Sequence, residues 1–234
     1  MKRFLVIGLG RFGMSLAETL YTGGEEVIAV DADMDRIEQM KDRVSHVVQL
    51  DSTDPDALKS IGADQVDTAV VAIGENFEAS VVTTAILKEL GIEEIIVRAY
   101  TEREKKILLL IGATRVLFVE DEMGRRTGKA ISGSRIIDYI ELCPTHSIVQ
   151  WQAPEGLIGK PLSELNLSEK EGLTLLAVRK RDDLSGEKTL WKREKDRLEL
   201  NPSPEYRLER GDVLIFIGKH QDLMRFTGKW PSPS

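Results

Sequence analysis

Phe4-Leu5-Val6-Ile7-Gly8-Leu9-Gly10-Arg11-Phe12-Gly13 decides the fold. Phe4 to Ile7 is an apolar, β-branched run of strand length, and it feeds directly into a G-x-G-x-x-G at Gly8, Gly10 and Gly13. The segment Met14 to Tyr21 behind it reads as a helix. Gly8 permits the tight turn, Gly10 lets the backbone approach a pyrophosphate, and Gly13 with Ala17 lets the helix lie close to the strand. The unpaired N–H groups and positive dipole end of that helix then face the phosphates. Glycines also cap helices and fill loops, so the flanking strand and helix carry the inference.

About twenty residues on, Glu26 to Val30 forms a second strand ending in Asp31. A carboxylate there can accept both hydroxyls of an adenosine ribose and would repel the extra phosphate of NADP. The expected ligand is therefore NAD(H), ATP, ADP or AMP. Asp31 could instead cap the next helix, since Asp33 and Asp35 lie beside it.

Strands and helices continue to alternate. Met34 to Val44 has helical character, and Ser45 to Leu50 is a third strand ending at Asp51-Ser52-Thr53. Asp54-Pro55 opens a short helix through Ile61, with Asp as cap and Pro at the first helical position. Val66 to Ile73 is apolar enough for a buried parallel strand and ends at Gly74. A long helix from Glu75 to Leu90, a strand from Glu94 to Arg98, a helix from Glu102 to Ile111 and a strand from Arg115 to Val119 follow. The fold class expected is α/β: a Rossmann-like, doubly wound parallel sheet over residues 1–120.

In such a sheet ligands collect at the carboxyl ends of the strands. The residues found there are the glycine loop, Asp31, Asp51 with Ser52, Ile73 with Gly74, Arg98 and Glu120. Arg11, inside the loop, is a cation within reach of a phosphate. Glu120, at the end of the sixth strand, could hold a cation that bridges phosphates, or could cap the helix beginning near Asp121.

Composition sets outer limits. The 234 residues are 41% hydrophobic with a net charge of −7, the profile of a soluble globular protein and an argument against a general nucleic-acid binder. No apolar run approaches the ~20 residues of a membrane span, and Met1-Lys2-Arg3 leads straight into a strand, so a cytoplasmic location is expected. The single cysteine, Cys143, excludes an internal disulfide, and its apolar context suggests a buried structural thiol.

The pattern changes near residue 121. Residues 121–137 read as a linking helix with a basic stretch, Arg125-Arg126 and Lys129, and an interruption at Ser132-Gly133-Ser134. That charge run is simplest as a solvated face; a helix crossing to a partner subunit is the alternative. Beyond it come short strands: Tyr139 to Leu142, Ser147 to Gln152, Leu173 to Arg179, Arg197 to Leu200 and Val213 to Ile217, with turn-rich pieces such as Arg181 to Gly186. Residues 138–230 are therefore a smaller, mostly β (α+β) domain, and 231–234 a tail. Trp151, Trp191 and Trp230 all fall in this part, where packing is their ordinary use.

Gly8-Leu9-Gly10-Arg11-Phe12-Gly13, Asp51-Ser52, Val71-Ala72-Ile73-Gly74, Ile111-Gly112-Ala113, Gly159-Lys160-Pro161-Leu162 and Arg210-Gly211-Asp212 together resemble the RCK (regulator of conductance of K+) proteins. The kind it most resembles is the cytosolic Trk/Ktr regulatory subunit. The resemblance implies a single RCK N-terminal domain and a single RCK C-terminal domain. It also implies dimers that assemble into an octameric ring beneath a membrane K+ channel subunit, activated by ATP and inactivated by ADP. Arg11 would contact phosphate, and Glu120 would help hold a cation such as Mg2+. The nucleotide site it implies comprises Gly8, Gly10, Arg11, Phe12, Gly13, Asp31, Ala32, Asp33, Asp51, Ser52, Ala72, Ile73, Gly74, Arg98, Ala99 and Glu120. Trk-type relatives with two tandem copies are associated with NAD(H); one copy with Arg11 and Glu120 favours ATP or ADP. Some relatives bind cyclic di-AMP between two C-terminal domains.

The competing class is an NAD-dependent oxidoreductase, which needs a proton relay beside the nicotinamide. His46, His146 and His220 are not placed for it, and Tyr100 is the one acid near the rim, with stacking on the next helix as its plainer use. A redox-sensing DNA-binding repressor would need a winged helix and a basic face.

Overall fold

The computed structural model describes residues 1–133, 135–180 and 197–230. Ser134, the turn from Arg181 to Gly186, Trp191 and the tail 231–234 lie outside them. The chain divides into two compact units, Met1–Glu120 and Asp121–Ser234.

The first unit is a six-stranded sheet in which every pair is parallel. Its strands are β1 (Arg3–Ile7), β2 (Glu26–Asp31), β3 (His46–Gln49), β4 (Thr68–Val71), β5 (Glu94–Arg98) and β6 (Arg115–Leu117), in the order β3-β2-β1-β4-β5-β6. The helices between them are α1 (Arg11–Thr22), α2 (Met34–Met40), α3 (Pro55–Ser60), α4 (Phe77–Glu89) and α5 (Glu102–Ile111). Side chains alternate across a strand, so Leu5 and Ile7 join Val71, Ile95 and Val97 in one core with Leu87 and Leu108 of α4 and α5. Val6 turns the other way, to Ala29, Ala17 and Met40. A sheet covered on both faces accounts for the continuous apolar runs of β1 and β4.

Several bounds differ from the sequence reading. α1 starts at Arg11, not Met14, because extended Gly10 is its N-cap. α2 stops at Met40, where the chain turns to bring Val44 into the same core. β4 is limited to the four residues that pair with Phe4–Ile7 of β1. β6 ends at Leu117, opposite Arg98, the last residue of its only neighbour, β5. The helix α6 (Val119–Ser132) therefore begins earlier than expected and ends before residue 137. Glu120 stands in its first turn and not at a strand end.

The second unit is an antiparallel five-stranded sheet, β7 (Ile136–Glu141), β8 (His146–Gln152), β9 (Leu173–Lys180), β10 (Arg197–Leu200) and β11 (Val213–Lys219), ordered β10-β9-β11-β8-β7. Ile136 and Ile137, expected in the linking helix, belong to β7. A helix that the sequence reading did not include, α7 (His220–Gly228), packs Leu223 and Phe226 onto the sheet. Fully buried Trp151 lies 5.3 Å from the Phe226 ring and 6.0 Å from Phe216. The basic stretch on α6 is partly ion-paired with β7 and so is not simply a solvated face. Arg126 holds Asp138 bidentately at 2.8 and 2.6 Å, and Lys129 holds Glu141 at 2.7 Å. No described helix is long and apolar enough to cross a membrane.

Candidate functional site

The site is built where strand order reverses beside β1. Gly8 leaves β1 with φ +96°, a conformation that favours glycine, and its amide donates to the Val30 carbonyl of β2 at 2.8 Å. A Cβ on Gly13 would sit 1.9 Å from the Gly8 carbonyl oxygen and one on Gly8 2.9 Å from the Ile73 amide nitrogen. Those two glycines therefore let α1 and β4 close on the turn, with Ala72 3.4 Å from the Gly13 position. Gly10 is different: a Cβ there would meet nothing within 4 Å. Its face is open to whatever approaches the loop.

Asp31, at the end of β2, is 8% exposed and serves the loop as well as the rim. Oδ2 accepts from the Leu9 amide at 2.6 Å and from Arg36 Nη1 at 3.2 Å, while Oδ1 accepts from the Asp33 amide at 2.9 Å. Capping of α2 falls instead to Asp33, whose carboxylate accepts from the Asp35 amide. The two aspartates that the sequence left ambiguous thus have separate tasks. Arg36 was not foreseen, since nothing in its spacing marks it as the partner of Asp31.

The helix N-termini show a consistent contrast. Asp33, Asp54, Asn76 and Thr101 cap α2 to α5 with side-chain oxygens, and each first turn carries an acidic residue. α1 has neither a side-chain cap nor an acid, and it opens with exposed Arg11, which has no ion-pair partner among the described residues. Its first amides and its dipole remain free for an anion. Phe12, half-buried, and Gly13 complete that turn.

The other rim residues fall into two groups. On β3's side, the exposed Asp51 carboxylate accepts from the Thr53 amide and then the Thr53 hydroxyl, which together hold its pKa below the ordinary value. The Ala32 carbonyl accepts from Gln49 Nε2 at 2.9 Å. Ser52 is buried and shares a 2.9 Å hydrogen bond with the Thr83 hydroxyl of α4. Thr83, fully buried, had no sequence signal either. On β5's side, Arg98 pairs with Glu120, and its guanidinium lies 4.8 Å over the Tyr100 ring. Tyr100 therefore stacks on Arg98. Ala99 is buried, its amide bonded to the Leu117 carbonyl. A pocket of about 250 Å3 lies here, lined by Ile73, Gly74, Phe77, Ser80, Arg98 and Tyr100, together with Glu75 and Glu104. A second hollow of about 260 Å3, at Arg3, Glu26 and His46, sits at the opposite ends of the strands.

These residues do not fit a metal held by protein groups. Glu120 is occupied by Arg98, and no set of three His, Cys, Asp or Glu side chains converges among the described residues. In the second unit Cys143 is exposed, which corrects the expected buried thiol. It lies between β7 and β8, where the Thr145 hydroxyl, the Thr145 amide and then His146 pull its pKa down to about 7.

An open parallel sheet whose glycine turn faces an uncapped helix end is the mark of a Rossmann-type nucleotide-binding protein, here followed in the chain by a small antiparallel unit. Comparison with known proteins narrows that class. Residues 4–119 match the TrkA-N domain and residues 149–228 the TrkA-C domain. The chain is 38% identical over 225 residues to Ktr system potassium uptake protein C of Bacillus subtilis, covering 96% of each chain. It is 35% identical to protein A of the same system and organism, over 96% of this chain and 95% of that one. The RCK domain of GsuK shares the fold, with a TM-score of 0.64 at 16% identity over 99% of this chain and 48% of the other. The NAD(P)-binding domain of an exopolyphosphatase-related protein from Archaeoglobus fulgidus superposes with a TM-score of 0.50 at 25% identity, over 56% of this chain and 98% of that one. The chain belongs to the TrkA-N/TrkA-C family that includes the Ktr potassium uptake proteins.

Proposed function

We propose that this protein is the nucleotide-sensing regulatory subunit of a potassium-uptake system, acting from the inner face of the cell membrane on a membrane K+ channel or transporter subunit. The observation that carries the ligand class is the N-terminus of α1. It alone among α1 to α5 lacks both side-chain cap and acid, and it opens with exposed Arg11 next to Gly10, whose Cβ position is empty. ATP or ADP is the ligand this arrangement suits, with phosphates at the amides of Arg11, Phe12 and Gly13 and the ribose toward Asp31. The buried carboxylate of Asp31 disfavours a 2′-phosphate, which sets NADP apart.

NAD(H) is the second reading. The pocket beside Gly74 offers room for a second nucleotide half, and the Archaeoglobus domain is described as NAD(P)-binding. The oxidoreductase reading is not favoured: His46 begins β3, away from the glycine loop, and His146 and His220 belong to the second unit.

The mechanism is a population shift. A ligand moves a two-state assembly only through its different affinity for the two states, and a tenfold difference is ~1.4 kcal/mol. A γ-phosphate meeting Arg11 and a helix dipole can supply that. Homodimers assembling into an octameric ring are the proposed two-state body, and the C-terminal domains of two subunits are a proposed site for cyclic di-AMP.

Thermal denaturation of the purified protein with ATP, ADP, NAD, NADH and NADP, with and without Mg2+, tests the reading. A ligand at one hundred times its Kd adds ~2.7 kcal/mol of stability. Shifts with ATP and ADP that Arg11→Ala weakens are expected. A response to NAD and NADH alone moves the assignment to a redox sensor, and no response to any of them overturns it.

A further inference from the structure

The Asp31 carboxylate is largely taken up by donors of this chain. A carboxylate offers about four places to hydrogen-bond donors. Oδ2 accepts from the Leu9 amide at 2.6 Å and from Arg36 Nη1 at 3.2 Å, and Oδ1 accepts from the Asp33 amide at 2.9 Å. That leaves one place, whereas the two hydroxyls of a ribose need two. The Leu9 and Asp33 amides belong to the backbone of the glycine turn and of the α2 N-cap, so neither can withdraw without undoing those turns. Arg36 can. Its bond to Asp31 is the longest of the three and its side chain is 47% exposed. Its Nε lies 3.5 Å from Asp33 Oδ2, a second carboxylate that keeps the guanidinium nearby when Asp31 is given up.

We propose that Arg36 is a specificity-determining residue: it holds the place on Asp31 that the second ribose hydroxyl takes, and it is the cation that meets a phosphate carried on that ribose. The inference rests on the proposed function for the ribose at Asp31. Arg36 is the one cation paired with Asp31 among the described residues. A nucleotide with a free diol must displace it, and that competition lowers its affinity. A nucleotide phosphorylated on the ribose meets the charge of Asp31 but gains the guanidinium, a group that accommodates such a phosphate in folds of this class. Asp31 therefore sets the direction of the preference for an unphosphorylated ribose, and Arg36 limits its size.

Isothermal titration calorimetry of the full chain with ADP, 2′-deoxy-ADP and ADP carrying a 2′-phosphate tests the assignment. Arg36→Met keeps the apolar stem and removes the guanidinium. It should bind ADP about threefold more tightly and the 2′-phosphate about threefold more weakly than wild type, the scale of a half-exposed ion pair, which moves their ratio by about tenfold. 2′-Deoxy-ADP, whose single hydroxyl uses the remaining place on Asp31, should be unchanged. Arg36→Lys, which keeps a cation, should hold the 2′-phosphate near wild type. If Arg36→Met melts early, Arg36→Ala answers the same question. An unaltered ratio, a gain that 2′-deoxy-ADP shares, or weakening of all three ligands together overturns the role of Arg36 while leaving the nucleotide site in place. Failure of wild type to bind any of the three overturns the proposed function, and this role with it.

Discussion

The Leu9 amide donates to Asp31 Oδ2 across 2.6 Å, which makes the acid that closes β2 a working part of the turn that follows β1. Asp31→Ala leaves a buried donor unsatisfied and should cost about 1–3 kcal/mol. Asp31→Asn keeps an acceptor and removes the charge. It should retain most of that stability in urea titration while narrowing the preference for NADH over NADPH. Equal discrimination by wild type and Asp31→Asn would remove the acid from ligand selection.

Gly13 and Gly10 separate folding from binding. Gly13→Ala drives a methyl to 1.9 Å from the Gly8 carbonyl, so the loop must open, with a loss of about 3 kcal/mol or more and no nucleotide bound. Gly10, with φ −70° and empty space before it, should accept alanine with a nearly unchanged Tm and a weakened ATP affinity. Parallel melting and binding curves check both, and an unaltered ATP affinity in Gly10→Ala would place the phosphates elsewhere.

Thr83 ties α4 to the loop carrying Asp51. Its hydroxyl meets that of Ser52 at 2.9 Å and donates to the Ser52 carbonyl at 3.2 Å. Thr83→Val keeps the shape and leaves those groups without a partner, so a loss of about 1–2 kcal/mol is expected in urea denaturation. Thr83→Val and Ser52→Ala should be clearly non-additive in the double mutant.

Cys143 should alkylate as a low-pKa thiol. The iodoacetamide rate is expected to rise through a midpoint of about 7. Thr145→Val, which removes the hydroxyl that contributes most to the shift, should move that midpoint up toward the ~8.5 of a free thiol. A wild-type midpoint already near that value would show that the hydroxyl does not hold the thiolate.

The architecture of the first unit and the identity of its glycine turn were legible in the order of the residues alone. Runs such as Phe4 to Ile7 and Thr68 to Val71, alternating with helical segments, are those of strands covered on both faces, and the spacing of Gly8, Gly10 and Gly13 is a local backbone requirement. That order did not reveal partners that meet from distant positions. Leu9 with Asp31, Ser52 with Thr83, and Arg98 with Glu120 are joined by the folded sheet, and no local period marks any of these pairs. The end of β6 is of the same kind, since its ladder stops where β5 stops, so Glu120 became a helix residue. Cys143 sits among apolar letters, yet the connection between β7 and β8 exposes it. Local propensity and pattern are carried by neighbours in the chain, whereas charge pairing, exposure and strand length are set by neighbours in space.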